Sequence, residues 1–293
     1  MKPKLLDFEI ASKMISEKDE YICNFSEFDL QSRLRTSEEV SIEDLLDFLS
    51  QQTLDWTIVE RHMMKKIFSE LVKEYIPFSQ YLWENVTLIK TTGREENDAA
   101  YTRKNCIYLP LSMVQGSYQE LKETVAHELF HIVSTYNPEL RNNLYAKLGF
   151  EACPKLLIPQ EFKNLYVTNP DTVGKNCYLE FQVNGIKVKA VPFLYSESPY
   201  RGGYFFRYFR FSFLVSKIIK DKCIPVFKED RVNLVGTPQN LFQLCEELDP
   251  YNNQHRLHPE KILAYYWSFL PFKETELEYN KKVFRSKINS ILQ

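Results

Sequence analysis

The sequence has no block of lysine and arginine, no apolar run long enough to cross a bilayer, no cysteines at C-x-x-C spacing, and only five histidines. Each shortage closes off a class of function. A formal net charge of -2 without a basic cluster removes the electrostatic footprint of a nucleic-acid binder, so nucleic acid is not an expected partner. The longest apolar stretches, such as Phe211-Ser212-Phe213-Leu214-Val215, fall far short of the roughly 20 residues that span a bilayer, and no membrane span is expected. The first residues are broken by Asp7 and Glu9 before a signal-peptide core can develop, which predicts no Sec-type export and a cytoplasmic chain. The six cysteines (Cys23, Cys106, Cys153, Cys177, Cys223, Cys245) lie far apart, so neither a zinc ribbon nor a redox dithiol is indicated. Free, mostly buried thiols in a reducing compartment fit them better. No internal repeat or low-complexity linker is present.

What remains is the composition of an ordinary folded protein, 44% hydrophobic and 26% charged over 293 residues, enough for one sizeable core. Ser41 followed by Asp44 is a capping signature, and Leu45, Leu46, Phe48 and Leu49 repeat at helical spacing. A second helix runs from Trp56 through Val72 and closes at Pro77. The β-branched stretch Val86 to Gly93 reads as a strand, and Tyr101-Thr102-Arg103 and Cys106-Ile107-Tyr108-Leu109 flank a Lys104-Asn105 turn. A helix is predicted from about Ser117 to Tyr136, stopped by Asn137-Pro138. Asn184-Gly185 joins strands 178–183 and 186–191 in a type I′ hairpin. Tyr204 to Val215 reads as another strand, and Pro259 to Phe269 and Glu274 to Leu292 as two closing helices.

The 117–136 helix carries the chemistry. His127 and His131 are four residues apart, so both imidazoles leave one face and can reach a single metal ion. Zinc suits such ligands, and a catalytic zinc site adds a third protein ligand and an open position where the pKa of a bound water falls toward about 7. Glu128, one residue after the first ligand, is placed to take that water's proton and pass it to a leaving amine. Val125, Ala126, Leu129, Phe130, Ile132 and Val133 supply no competing charge and would sink the helix into the core with its ligand edge facing a cleft.

The segment Thr124 to Val133 resembles the active-site helix of the zincin superfamily of metallopeptidases, in which an edge strand borders the cleft. The glycine and third histidine of the metzincin branch are absent after His131, so the resemblance is to the gluzincin branch, whose third ligand is a glutamate on a later helix. His258-Pro259-Glu260-Lys261-Ile262-Leu263-Ala264-Tyr265 is similar to the H-P-E-E-I-L-A-[DE]-N-F stretch of little-characterised bacterial zincin-like proteins, and Thr168-Asn169-Pro170-Asp171 and Tyr101-Thr102-Arg103 also look like that group. In the E-x-x-A-D register the ligand slot falls on Lys261 and the acid slot on Tyr265. The resemblance therefore offers Glu260 as third ligand, with His258 or a loop carboxylate as alternatives, and repulsion between an ammonium and a dication leads us to expect Lys261 to point away. It also suggests His255 as a donor to the oxyanion of the tetrahedral intermediate, a surface histidine in a polar loop being the plain alternative.

Other residues carry weaker expectations. Asp171 follows a strong turn signal and is expected to cap it, although Asp171, Glu151 or Glu161 could orient a ligating imidazole. His62 is expected to face solvent, and Tyr200 to Tyr204 to form a turn before a strand, the lining or gating of a substrate cleft being the alternative. The expected fold is α+β and zincin-like, one unit over 1–293: a helical layer (1–80), a small mixed or antiparallel sheet with the motif helix (81–140), and β-hairpins with C-terminal helices that supply the third ligand (141–293). The expected function is zinc-dependent hydrolysis of a peptide or protein substrate. A degraded site that binds without cleaving, and a metal-dependent small-substrate amidase, are the alternatives.

Overall fold

The computed structural model describes residues 3–75, 80–81, 85–245 and 257–292. Pro77 and His255 lie outside the described residues. The fold is mixed α and β, in agreement with the α+β expectation.

Short helices make up the first layer. All but the first, Phe8–Ile15, open on a side chain that accepts a hydrogen bond from a free backbone N–H of the first turn. Ser26 and Asp29, Ser41 and Asp44, and Thr57 and Glu60 form reciprocal capping boxes at the starts of helices Glu27–Leu34, Ile42–Ser50 and Ile58–Glu74. Behind them stands a five-stranded sheet of β1 (Lys4–Leu5), β2 (Thr53–Leu54), β3 (Thr87–Thr91), β4 (Tyr101–Arg103) and β5 (Cys106–Pro110). Its centre, β3, is buried along its whole length and pairs in parallel with β1 and β5, while β4 lies antiparallel to β5 at the edge. Gly93 begins the loop after β3 at a positive φ of 82°, and a Cβ there would collide with the Asp98 carboxylate.

That loop is held by a buried ion cluster. Arg33 donates to both carboxylate oxygens of Glu96 (2.7 and 3.1 Å) and to Asp29 (3.0 Å), and its guanidinium lies 4.5 Å from the Phe25 ring centroid.

The motif helix, Tyr118–Tyr136, starts where Ser117 accepts the Glu120 N–H, and stops where Asn137 bonds the Val133 carbonyl ahead of Pro138. It packs against β4, β5 and helix Pro259–Phe269. A second, antiparallel sheet follows: β6 (Phe150–Ala152), β7 (Cys177–Val183), β8 (Ile186–Ser196), β9 (Phe209–Ile219) and β10 (Lys222–Pro225). A small hairpin, β11 (Phe227–Lys228) with β12 (Arg231–Val232), precedes β13 (Leu234–Val235), which pairs with β9. The β7–β8 turn has Asn184 and Gly185 at φ 50° and 78°, as a type I′ turn requires. Alternation splits β9 between two cores, with Phe213 and Val215 packing in the cluster that holds the motif helix and Leu214 packing on the other face.

Two predicted elements differ from the structure. Tyr204 to Val215 is not one strand: Phe205–Tyr208 is a 3₁₀ turn, which puts Phe205 and Tyr208 on one side against Phe28 before β9 begins. Glu274 to Leu292 is not one helix either. Glu274–Glu276 is a 3₁₀ turn, and extended, buried Leu277 anchors the chain in the core before helix Tyr279–Leu292.

Candidate metal centre

Helical periodicity alone brings the motif together. The ring centroids of His127 and His131 are 5.0 Å apart, and ligand atoms of His127, Glu128 and His131 all lie within 4.8 Å of one another. His127 and Glu128 line a cavity of about 860 Å³, with Asp171, Lys261 and Tyr265 also on its wall.

His131 is fully buried, and its two nitrogens have opposite surroundings. Nδ1 lies 2.8 Å from Glu260 Oε1, whereas Nε2 has no hydrogen-bond partner. An ionised carboxylate only accepts, so Nδ1 carries the proton and Nε2 a free lone pair. Burial lowers the imidazole's pKa, with Asp171 and Glu260 opposing, which keeps the ring neutral.

Glu260 therefore does not stand where the sequence suggested. It bonds the nitrogen on the far side of the ring from the free lone pair, so it cannot reach an ion bound at Nε2. Nor is it at an open helix entrance: Glu260 is 0% exposed. Its Oε1 also accepts from Lys175 Nζ (2.5 Å), and its Oε2 from Ser134 (2.7 Å) and Tyr145 (2.6 Å). Burial alone would raise this acid, but Lys175 and His131 hold it well below the usual carboxylate range. Glu260 fixes the tautomer and direction of His131.

The carboxylate on the Nε2 side is Asp171, whose Oδ2 lies 3.9 Å from that nitrogen. Asn169, not Asp171, caps the Asn169-Pro170-Asp171 turn by accepting the Asp171 N–H at 3.0 Å. The Asp171 carboxylate is thus released inward. Oδ1 accepts the backbone N–H of Thr102 on β4 (2.9 Å), and Oδ2 takes the Lys261 ammonium. Burial would raise the Asp171 acid, yet Lys261 and His131 beside it hold it below its ordinary value. Lys261, expected to point away, points in. Burial would lower its pKa, but Asp171 and Glu128 raise it, so it remains charged.

Thr102 also donates its hydroxyl to Glu128 Oε2 at 2.7 Å, so one edge-strand residue aligns both acids. Burial and the nearby Asp171 push the Glu128 acid up to about 8, with Lys261 pulling the other way.

The remaining candidates lie elsewhere. His258 caps its helix through Nδ1 (3.1 Å from Glu260 N) and meets Cys177 Sγ at 3.8 Å, so it is not a ligand alternative on this face. Glu151 bonds the Tyr178 hydroxyl and Glu161 the Val232 N–H, both in the second sheet's neighbourhood, and neither orients an imidazole. His62 is exposed, as expected. Tyr204, from the expected plain turn, lines the cavity with Phe206. Lys175, Ser134 and Tyr145 carry no motif signal, and Thr102 stood out only within the Tyr101-Thr102-Arg103 resemblance; the place of all four in the site was missed from sequence. Among the described residues no helix is long and apolar enough to cross a membrane. Comparison with protein-family models, curated proteins and solved structures finds no match for this chain.

Proposed function

We propose that this chain is a zinc-dependent hydrolase of peptide bonds, with His127 and His131 as metal ligands and Glu128 as general base. The observation that carries the proposal is the lone pair of His131 Nε2: buried, without a hydrogen bond, and held in a fixed tautomer by Glu260. An unsatisfied buried polar nitrogen costs about 1–3 kcal/mol, a cost that coordination would remove. The donor set fits zinc, since imidazole nitrogens one helical turn apart beside a carboxylate are its usual protein ligands.

A bound zinc ion would supply a Lewis acid and lower the pKa of a water molecule. The chain's own residues do the rest. Thr102 holds Glu128 Oε2, which leaves the other oxygen to receive a proton and deliver it to the leaving amine. Burial and Asp171 raise the Glu128 acid to about 8 while Lys261 opposes them, so the carboxylate that accepts the proton gains population as pH rises toward that value. Tyr204, Phe206 and Phe209 give the cavity an aromatic wall suited to an apolar side chain of a peptide.

The test is zinc content and hydrolysis measured on the same preparations. The parent should take up about one zinc per chain, His127→Ala should lose it, and Glu128→Gln should keep zinc while losing hydrolysis. No zinc uptake by the folded parent, and none by its Lys261→Met variant, would overturn the proposal. A second possibility is favoured by the Lys261 ammonium on Asp171: a degraded site that recognises a partner without cleaving it. Zinc-loaded parent with no turnover on a peptide library would select it.

A further inference from the structure

We propose that the metal position has a built-in competitor: the Lys261 ammonium occupies the carboxylate oxygen that would complete the site, Asp171 Oδ2, so the site loads only when Lys261 withdraws. The inference rests on the metal-site proposal above and concerns which residue closes the site and what holds it shut.

Three observations converge. His131 Nε2 is buried, unpartnered, and 3.9 Å from Asp171 Oδ2. Two ligand atoms on one tetrahedral zinc ion, each about 2.0–2.1 Å from it, lie roughly 3.3 Å apart, so this one pair is wider than in a loaded site by about half an ångström. Asp171 stands outside the His127, Glu128 and His131 grouping within 4.8 Å, so its carboxylate moves in as Lys261 leaves. Asp171 Oδ1 is fixed by the Thr102 N–H, which turns Oδ2 toward the imidazole. The other buried carboxylate near His131, Glu260, has both oxygens taken by four donors on the wrong edge of the ring.

Lys261 then sits where a second cation would have to come. Its Nζ bonds Oδ2 itself and faces Glu128 from the first turn of helix Pro259–Phe269. An ammonium and a dication cannot share one carboxylate oxygen without strong repulsion in a site so dry. Lysine is suited to leave. Its charge is carried on a flexible four-carbon stem, its side chain is 14% exposed, and it borders the cavity. Glu260 and Lys261 are adjacent on the helix, so the roughly 100° turn between them sends one behind His131 and the other in front of it.

The experiment is a zinc titration against a chromogenic chelator at fixed pH, on the full chain, with folding checked by circular dichroism. Lys261→Met should bind zinc at least tenfold more tightly than the parent, and Lys261→Gln, which keeps a neutral donor to Asp171, should show a gain in the same direction if methionine compromises folding. Adding Asp171→Asn to the tighter variant should lose tenfold or more. Equal zinc affinity in the parent and both Lys261 variants, with His127→Ala still losing the metal, would overturn the competitor and leave the metal site standing. So would an Asp171→Asn chain that binds as tightly as its background. No zinc uptake by folded parent or Lys261 variants would remove the metal site itself.

Discussion

Replacing Glu260 by glutamine probes the polar assembly behind His131. The side chain keeps its shape but loses its charge, and the Lys175 ammonium, 5% exposed, is left buried without its counter-charge, facing a neutral amide and the His131 carbonyl at 3.2 Å. Removing one partner of a buried ion pair costs about 3–5 kcal/mol, because the survivor stays desolvated and unpaired. Unfolding entropy of about 2.1 cal/mol/K per residue gives roughly 0.6 kcal/mol/K for a chain of 293 residues, so Tm should fall by about 5–8 °C. Urea unfolding near pH 7 supplies the free energy, and thermal melts supply the shift. The double variant Glu260→Gln/Lys175→Met should be less destabilised than the sum of the singles by about 1–3 kcal/mol, since it removes the orphan charge.

The pH dependence has a definite sign. The folded Glu260 acid is held below its unfolded value of about 4.3, so its stabilisation is complete above that pH and lost as pH falls through the folded value. The gap between parent and Glu260→Gln should therefore narrow in acid. A Glu260→Gln chain within about 1 kcal/mol of the parent at neutral pH, or singles that simply add, would refute this account of the assembly.

Two further outcomes are expected. Glu95 is buried and neither oxygen accepts a well-formed hydrogen bond, and burial pushes its acid up to about 7. The folded state then binds the extra proton, so this group lowers stability as pH rises from about 4.5 to 7, and Glu95→Gln should stabilise the protein at pH 8 by up to about 3 kcal/mol in urea titrations, with no gain at pH 4. Gly185→Ala meets no atom within 4 Å of the new Cβ but sits at φ 78°, so backbone strain alone should cost about 1 kcal/mol, and a loss above about 3 kcal/mol would point to a contact the turn does not show.

Local periodicity and end signals were sufficient wherever an outcome depended on neighbours in sequence. Ser117 and Asn137-Pro138 bound the motif helix, Asn184-Gly185 sets the hairpin, and four-residue spacing puts His127 and His131 on one face with Glu128 beside them. These follow from 3.6 residues per turn and from which residues tolerate positive φ, and need no tertiary partner. The rest of the site depends on how separate elements cross. Thr102 reaches Glu128 and Asp171 because β4 is the sheet edge beside the motif helix, and Asp171 turns inward because Asn169 has already capped the turn. Sequence could present Glu260 and Lys261 as neighbours on one helix, about 100° apart, but not their directions. Only the packing of helix Pro259–Phe269 against the motif helix decided that the carboxylate lies behind His131 and the ammonium in front of it, because the rotation of a helix about its axis is set by the apolar faces it buries and not by its polar residues.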